Sequence, residues 1–170
     1  MQRRSTQRVI VLGGSIAGAL DILFAIAFAY TNGAPPQRLL QTVASGALGQ
    51  ASYSGGWATA ALGLALHLMM SYAFAAAYVL ASLRIEILRR NPVLAGALYG
   101  ALVLFFMRCV VLPLSAFPHP VSFKPLATTL DLLSHMFLFG VPIALAARQA
   151  VGSGAATNRL GMSMKGANDG

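Results

Sequence analysis

Four long apolar blocks dominate this sequence and limit what it can fold into. They cover about residues 9–31, 57–83, 93–114 and 126–147. A hydrocarbon core of ~30 Å requires about 20 helical residues, and lipid offers no hydrogen-bond partners to an irregular backbone. The blocks do not show the alternation of barrel strands. The sequence therefore predicts an all-α integral membrane protein, with a four-helix bundle in residues 1–150.

The low charge content argues against a soluble domain. Only 9% of the residues are charged and 57% are hydrophobic, whereas soluble domains average about 25% charged residues. The net charge of +8 does not indicate nucleic-acid binding, because the arginines lie at the borders of the apolar blocks and not on one exposed face. The expected partner is the lipid bilayer. Cys109 is the only cysteine, so an intramolecular disulfide is impossible.

The lysines and arginines are distributed unevenly between the two sides of the predicted membrane domain. Outside the spans, one side has only Arg38 and Lys124, while the other has Arg3, Arg4, Arg8, Arg84, Arg89, Arg90, Arg148, Arg159 and Lys165. The positive-inside rule predicts that the richer side, with both termini, is cytoplasmic. The first block contains Asp21 and is longer than a signal-peptide core, so we expect it to be a retained span.

Two segments outside the spans have recognisable patterns. Pro35 and Pro36 precede residues 37–53, whose apolar residues recur at helical spacing. This segment is too short and too amphipathic to span, so we expect an interfacial helix or one folded over the mouth of the bundle. Residues 151–170 are rich in glycine, serine, alanine and asparagine and are predicted to be a disordered cytoplasmic tail.

Five ionisable residues lie within the predicted spans: Asp21, His67, Arg108, Asp131 and His135. A charged side chain at mid-membrane costs at least ~2.5 kcal/mol, so these residues should face the bundle. At a rise of about 1.5 Å per residue, Asp21, His67 and His135 lie near the midplane. Arg108 and Asp131 share a layer closer to the outer surface. We expect a midplane Asp–His cluster and a separate outer ion pair.

The leading functional hypothesis is a small transporter or a proton or ion relay. Histidine titrates near neutral pH, and carboxylate–histidine chains carry protons in many membrane proteins. Asp21, His67 and His135 would form the protonatable centre, and Arg108 with Asp131 would hold or gate the outer mouth. No phosphate loop, nucleophile elbow or zinc-protease motif is present in the sequence, so the pattern does not favour an enzyme.

Three alternatives remain open at this point. The buried charges could be helix-packing pairs of a structural or assembly protein that transports nothing. Two GxxxG motifs, Gly14 with Gly18 and Gly96 with Gly100, indicate close packing within the bundle or, as the lesser reading, a homo-oligomer or membrane-partner contact. The two intramembrane histidines could ligate a b-type haem, although no cofactor is the favoured expectation. A metal site formed by His67, Asp131 and His135 is compatible with the ligand types, but the spacing of these residues is too generic to predict one.

Four short runs suggest a family. They are AGALDI at 17–22, LQTVASG at 40–46, VLPLS at 111–115 and SFKP at 122–125. With these runs the chain resembles a family of small inner-membrane proteins of Proteobacteria that is classed as a domain of unknown function. The resemblance extends over most of residues 8–148. It implies four helices and a bacterial inner-membrane location, and it assigns no catalytic residues.

Overall fold

The computed structural model describes residues 2–121 and 123–149, and every regular element in them is helical. The helices are α1 (Gln2–Thr31), α2 (Pro36–Leu48, continued by a 3₁₀ turn over Gly49–Ser54), α3 (Gly56–Arg84), the short α4 (Ile87–Arg90), α5 (Pro92–Leu114) and α6 (Pro125–Gln149). Helices α1, α3, α5 and α6 are long and apolar enough to cross a membrane. The predicted all-α fold class is confirmed. The predicted tail, 151–170, lies outside the described residues.

Proline and glycine determine where the helices begin. Pro36, Pro92 and Pro125 are the first residues of α2, α5 and α6, where the missing N–H group of proline costs no hydrogen bond and its φ already suits a helix. Gly33, with φ of 82°, makes the turn after α1, and Gly56, with φ of 59°, opens α3. These positive φ angles are costly for residues with a Cβ.

The four spanning helices pack in the order α3, α1, α6, α5 around the bundle. Their inner faces share a core that includes Ala17, Val79, Val103 and Ile143. Large apolar side chains cover the outer faces; Leu98, for example, is 62% exposed. This distribution is that of a bundle whose outer surface faces lipid.

Aromatic side chains connect α3 to α5 and close the ring. The rings of Tyr78 and Tyr99 lie 4.9 Å apart, and Phe74 meets Phe106 edge-on at 6.2 Å. The Tyr99 hydroxyl also donates a hydrogen bond to the Phe74 carbonyl at 2.7 Å. We call this set of four residues the aromatic seam. This junction is made by aromatic side chains, whereas α5 and α6 are joined by close backbone contact.

Both GxxxG motifs lie at helix–helix contacts within the chain. Gly14 and Gly18 of α1 face Tyr72 and Ser71 of α3, and a Cβ at either position would come within 2.7 Å of those side chains. Gly96 and Gly100 face the backbone of α6 at Gly140 and His135, so a Cβ there would meet main-chain atoms. Small residues thus allow close approach of the helices, and α5 and α6 form the tighter pair.

Helix α2 lies across one end of the bundle, which we call the α2 end. Leu40 packs with Ile22 of α1 and Ala60 of α3, and its backbone is in contact with Gly63. Buried Gln41 donates to the Gly56 carbonyl at 3.0 Å. On the opposite side the Gly46 carbonyl accepts from the Ala116 N–H at 2.9 Å. The amphipathic helix therefore covers the bundle mouth, bound to α3 and to the segment after α5.

Candidate functional site

A cavity of about 450 Å³ lies beneath α2, between the spanning helices. Val43 and Gly46 of α2 form part of its roof, and Phe74 and Phe139 line its floor at the aromatic seam. Most of the lining is apolar. The polar side chains on its wall are Asp21, Thr42, His67, Ser71, Ser115, Asp131 and His135. A largely apolar cavity with a few convergent polar groups is typical of a ligand-binding site.

A chain of polar contacts runs along one wall of the cavity and joins three helices. Arg108 Nη2 of α5 donates to Asp131 Oδ2 of α6 at 2.8 Å. The other oxygen of Asp131, Oδ1, lies 3.2 Å from His135 Nδ1. That same nitrogen lies 3.6 Å from Oδ1 of Asp21 in α1. Ser134 completes the chain by donating to Asp21 Oδ1 at 2.8 Å. We call these five residues the polar network.

The local structure of α6 explains why three network residues share one face. Asp131, Ser134 and His135 are separated by three and four positions, which places them on neighbouring turns of a helix. His135 begins a π-helical segment, His135–Gly140, and Arg108 lies in a second one, Met107–Val111. Such segments are rare and often occur at functional sites. Here each of them carries a charged or titratable side chain of the network.

The surroundings of His135 fix which of its ring nitrogens carries hydrogen. Nδ1 faces the Asp131 carbonyl at 3.0 Å as well as the carboxylates of Asp131 and Asp21. A nitrogen surrounded by three oxygens acts as a donor, so Nδ1 holds hydrogen and an additional proton adds at Nε2. The ring can therefore gain a charge without losing its contacts to the two carboxylates.

The structure departs from the expected arrangement at His67. Its Nε2 donates to the Gly18 carbonyl of α1 at 2.9 Å, and no hydrogen bond joins it to Asp21 in the described residues. His67 does line the same cavity. Asp21 is instead close to His135, and Asp131 connects this pair to Arg108. The expected midplane cluster and outer ion pair thus form one continuous network, without His67.

Ser134 is the network residue that the sequence analysis missed. It is buried at 3% exposure and bonds the most deeply buried carboxylate of the described chain. A serine among the apolar residues of a membrane helix is a common and weak signal. Its position three residues after Asp131 indicates a shared face, but only the rotation of α6 against α1 selects it as the partner of Asp21.

Each of the two intramembrane histidines uses one ring nitrogen as a hydrogen-bond donor. Nε2 of His67 already donates to a backbone carbonyl of α1, and Nδ1 of His135 is held by three oxygens. The other ring nitrogen of each residue, Nδ1 of His67 and Nε2 of His135, keeps the lone pair that a haem iron would bind, so the haem alternative stays a hypothesis. Among the described residues, no group of three or more histidine, cysteine or acidic side chains has the geometry of a metal site.

Comparisons with known proteins give no relative from which a role could be inferred. The chain matches no protein-family model, no curated protein and no solved structure. The assignment of function therefore depends on the site itself.

Proposed function

We propose that this protein is a small transporter or proton relay whose protonatable centre is the Asp21–His135–Asp131 part of the polar network. The observation that carries the proposal is the position of Asp21. Its side chain is 10% exposed, lies in a membrane span and is 3.6 Å from His135 on the wall of a cavity. Intramembrane carboxylate–histidine pairs are rare because they are costly, and they commonly mark proton or ion pathways.

Arg108 and Asp131 have a supporting role in this proposal. Their 2.8 Å ion pair connects α5 to α6 next to His135, and Arg108 is also 3.4 Å from the Thr128 hydroxyl. The pair neutralises the charge of Asp131, so the net charge of the network depends on Asp21 and His135. Arg108 thus holds the cavity wall in place while the proton resides deeper in the bundle.

Proton flux across proteoliposomes tests the proposal. A potassium diffusion potential would drive protons into vesicles that contain a trapped pH indicator, and the flux would be compared between variants. We expect Asp21→Asn and His135→Gln to reduce the flux at least tenfold. Glu86→Gln and His119→Gln are the matched controls, because both side chains are exposed and lie outside the network. Equal flux in all five proteins would contradict the proposal.

A structural or assembly role is the second candidate, and one observation favours it. The polar network joins α1, α5 and α6, which is what a packing device inside a bundle would do. In that case Asp21→Asn should lower thermal stability in detergent, and the wild-type protein should show no flux above that of empty vesicles. The flux and stability measurements together separate the two candidates.

We infer that the bilayer is a bacterial inner membrane, with both termini in the cytoplasm. The arginine distribution supports the orientation, and the resemblance to the small proteobacterial membrane proteins supports the location. In this orientation α2 and the cavity beneath it belong to the outer half of the membrane.

A further inference from the structure

Asp21 is the carboxylate of the network that has one oxygen without a hydrogen-bond partner in the described part of the chain. Asp131 has both oxygens engaged, one by Arg108 and one by His135. Asp21 accepts from Ser134 through Oδ1 only, and Oδ2 has no hydrogen-bond partner within residues 2–121 and 123–149. The side chain is nine-tenths buried and lines the cavity. Oδ2 is not enclosed by protein atoms, so this carboxylate oxygen is accessible to a cavity ligand that donates a hydrogen bond.

The charges around the cavity leave one negative charge uncompensated. Helix α1 contributes Asp21, α3 contributes His67, α5 contributes Arg108, and α6 contributes Asp131 with His135. None of the lining residues of α2 is ionisable. Arg108 and Asp131 neutralise each other, so with both histidines neutral the site has a net charge of −1. In a low-dielectric site such a charge attracts one cation strongly.

The shape and lining of the cavity define the rest of the ligand. Its volume of about 450 Å³ is within the range of about 300–1,000 Å³ found for sites of drug-sized molecules. Most of the wall is aliphatic or aromatic, and Met69, Met70 and Met107 are part of it. Methionine side chains adapt to different apolar shapes. The wall therefore suits an apolar body, and Asp21 suits a cationic N–H donor attached to it.

We propose that the cavity binds a lipophilic monovalent amine, with its ammonium group on Asp21, in exchange for the proton held by the Asp21–His135 pair. The inference rests on the proposed transport function and names its substrate class. When the pair holds a proton the site is neutral, and a bound cation would leave one uncompensated positive charge. When the proton leaves, the ammonium replaces it and restores neutrality. One cation enters for each proton released.

Binding of three probes with the same apolar body tests the proposal in detergent. The probes are 1-naphthylmethylamine, 1-naphthylmethanol and the 1-naphthaleneacetate anion. They are cationic, neutral and anionic, respectively. We expect the purified protein to bind the amine at least tenfold more tightly than the alcohol, and the alcohol more tightly than the carboxylate. In a weakly buffered solution, amine binding should release up to one proton.

The variants separate recognition of the charge from folding. Asp21→Asn should lose at least tenfold in affinity for the amine and release no proton, while its affinity for the alcohol stays unchanged, which shows an intact cavity. Glu86→Gln should behave as wild type, because Glu86 is exposed and pairs with Arg90 of the neighbouring turn, outside the cavity. Equal binding of amine and alcohol by the wild-type protein would overturn the proposal, as would unchanged amine affinity in Asp21→Asn.

The pH dependence and the flux measurement complete the test. Because one proton competes with one cation, amine affinity should fall as the pH is lowered, by at most about tenfold for each pH unit. Flux that depends on Asp21 without amine binding would overturn the substrate class and leave the relay intact. Amine binding with proton release, but without flux, would support the ligand site and contradict transport.

Discussion

At the scale of single residues, the two intramembrane aspartates have different surroundings and different consequences. Asp131 is one-third exposed and is balanced by a guanidinium. Asp21 is nearly enclosed, and its ionisable neighbour is a histidine. The same residue type therefore serves as a structural ion-pair partner in α6 and as the candidate binding group in α1. The two sites should respond differently to the same substitution.

A double-mutant cycle measures the coupling free energy of the Arg108–Asp131 pair. We expect Arg108→Gln and Asp131→Asn each to reduce the free energy of unfolding by about 1–3 kcal/mol, because each leaves a partly buried charge without its partner. The double variant should lose less than the sum of the two. Chemical denaturation in mixed micelles measures these values. The exposed Glu86–Arg90 pair is the control cycle, with an expected coupling of about 0–1 kcal/mol.

Removing the Ser134 hydroxyl should weaken the support of Asp21. Ser134→Ala deprives Oδ1 of its buried donor, and the expected loss is about 1–3 kcal/mol in unfolding free energy. Ser54→Ala is the matched control, because the exposed Ser54 hydroxyl donates to the Ala51 carbonyl of its own turn. The same denaturation experiment compares both variants. A loss no larger than that of the control would show that the bond contributes little.

At the scale of helices, the contacts within each pair differ in kind. Helix α1 packs on α3 through glycines that face side chains, which can adjust. Helix α5 packs on α6 through Gly96 and Gly100, which face the backbone of α6. Gly140 of α6 in turn faces the backbone of α5. Since backbone cannot move aside locally, the second pair behaves as one rigid unit. That unit holds Arg108, Asp131 and His135 in fixed relative positions.

A methyl group at Gly100 should separate α5 from α6. Gly100→Ala places its Cβ against the His135 carbonyl, so we expect a loss of about 1–3 kcal/mol in unfolding free energy together with weaker flux. Gly46→Ala in α2 is the control, because the nearest atom to its Cβ would be Ser115 Oγ at 3.8 Å. The control should be neutral or slightly more stable, since alanine favours a helix. Thermal unfolding in detergent measures both effects.

The sequence predicted the helices better than it predicted how the site is connected. Hydropathy and length identify the four spans because lipid requires long, internally bonded apolar helices. Depth arithmetic placed Asp21 and His135 at a similar level. It could not give the rotation of each helix about its axis, and the π-helical segments shift the 3.6-residue phase after Met107 and His135. For this reason the link through Asp131 and the separate bond of His67 were not predicted.

At the scale of the whole molecule, the cavity occupies only the half of the bundle near the α2 end. Helix α2 covers it, and Phe74 and Phe139 separate it from the half that contains Tyr78 and Tyr99. The orientation of the chain therefore decides which compartment lies nearer to the cavity. The arginine distribution predicts the periplasmic side.

Reporter fusions test this orientation. A fusion after Gln149, at the end of α6, should give an active cytoplasmic reporter, because α6 is predicted to end inside. A fusion after Gly33, between α1 and α2, should give an active periplasmic reporter such as alkaline phosphatase. Exchange of the two activities would invert the orientation and place the cavity in the cytoplasmic half of the membrane.

The aromatic seam has a consequence for conformational equilibrium. Phe74 contacts Phe106 and Phe139 edge-on, and such ring pairs contribute about 0.5–1.5 kcal/mol each. Breaking both costs a few kcal/mol at most, a difference at which a minor conformation is populated at about 0.1–10%. Under the proposed transport function, the described arrangement would be one of two alternating-access states. A change of the Phe74 rotamer would then shift the equilibrium between these two conformations.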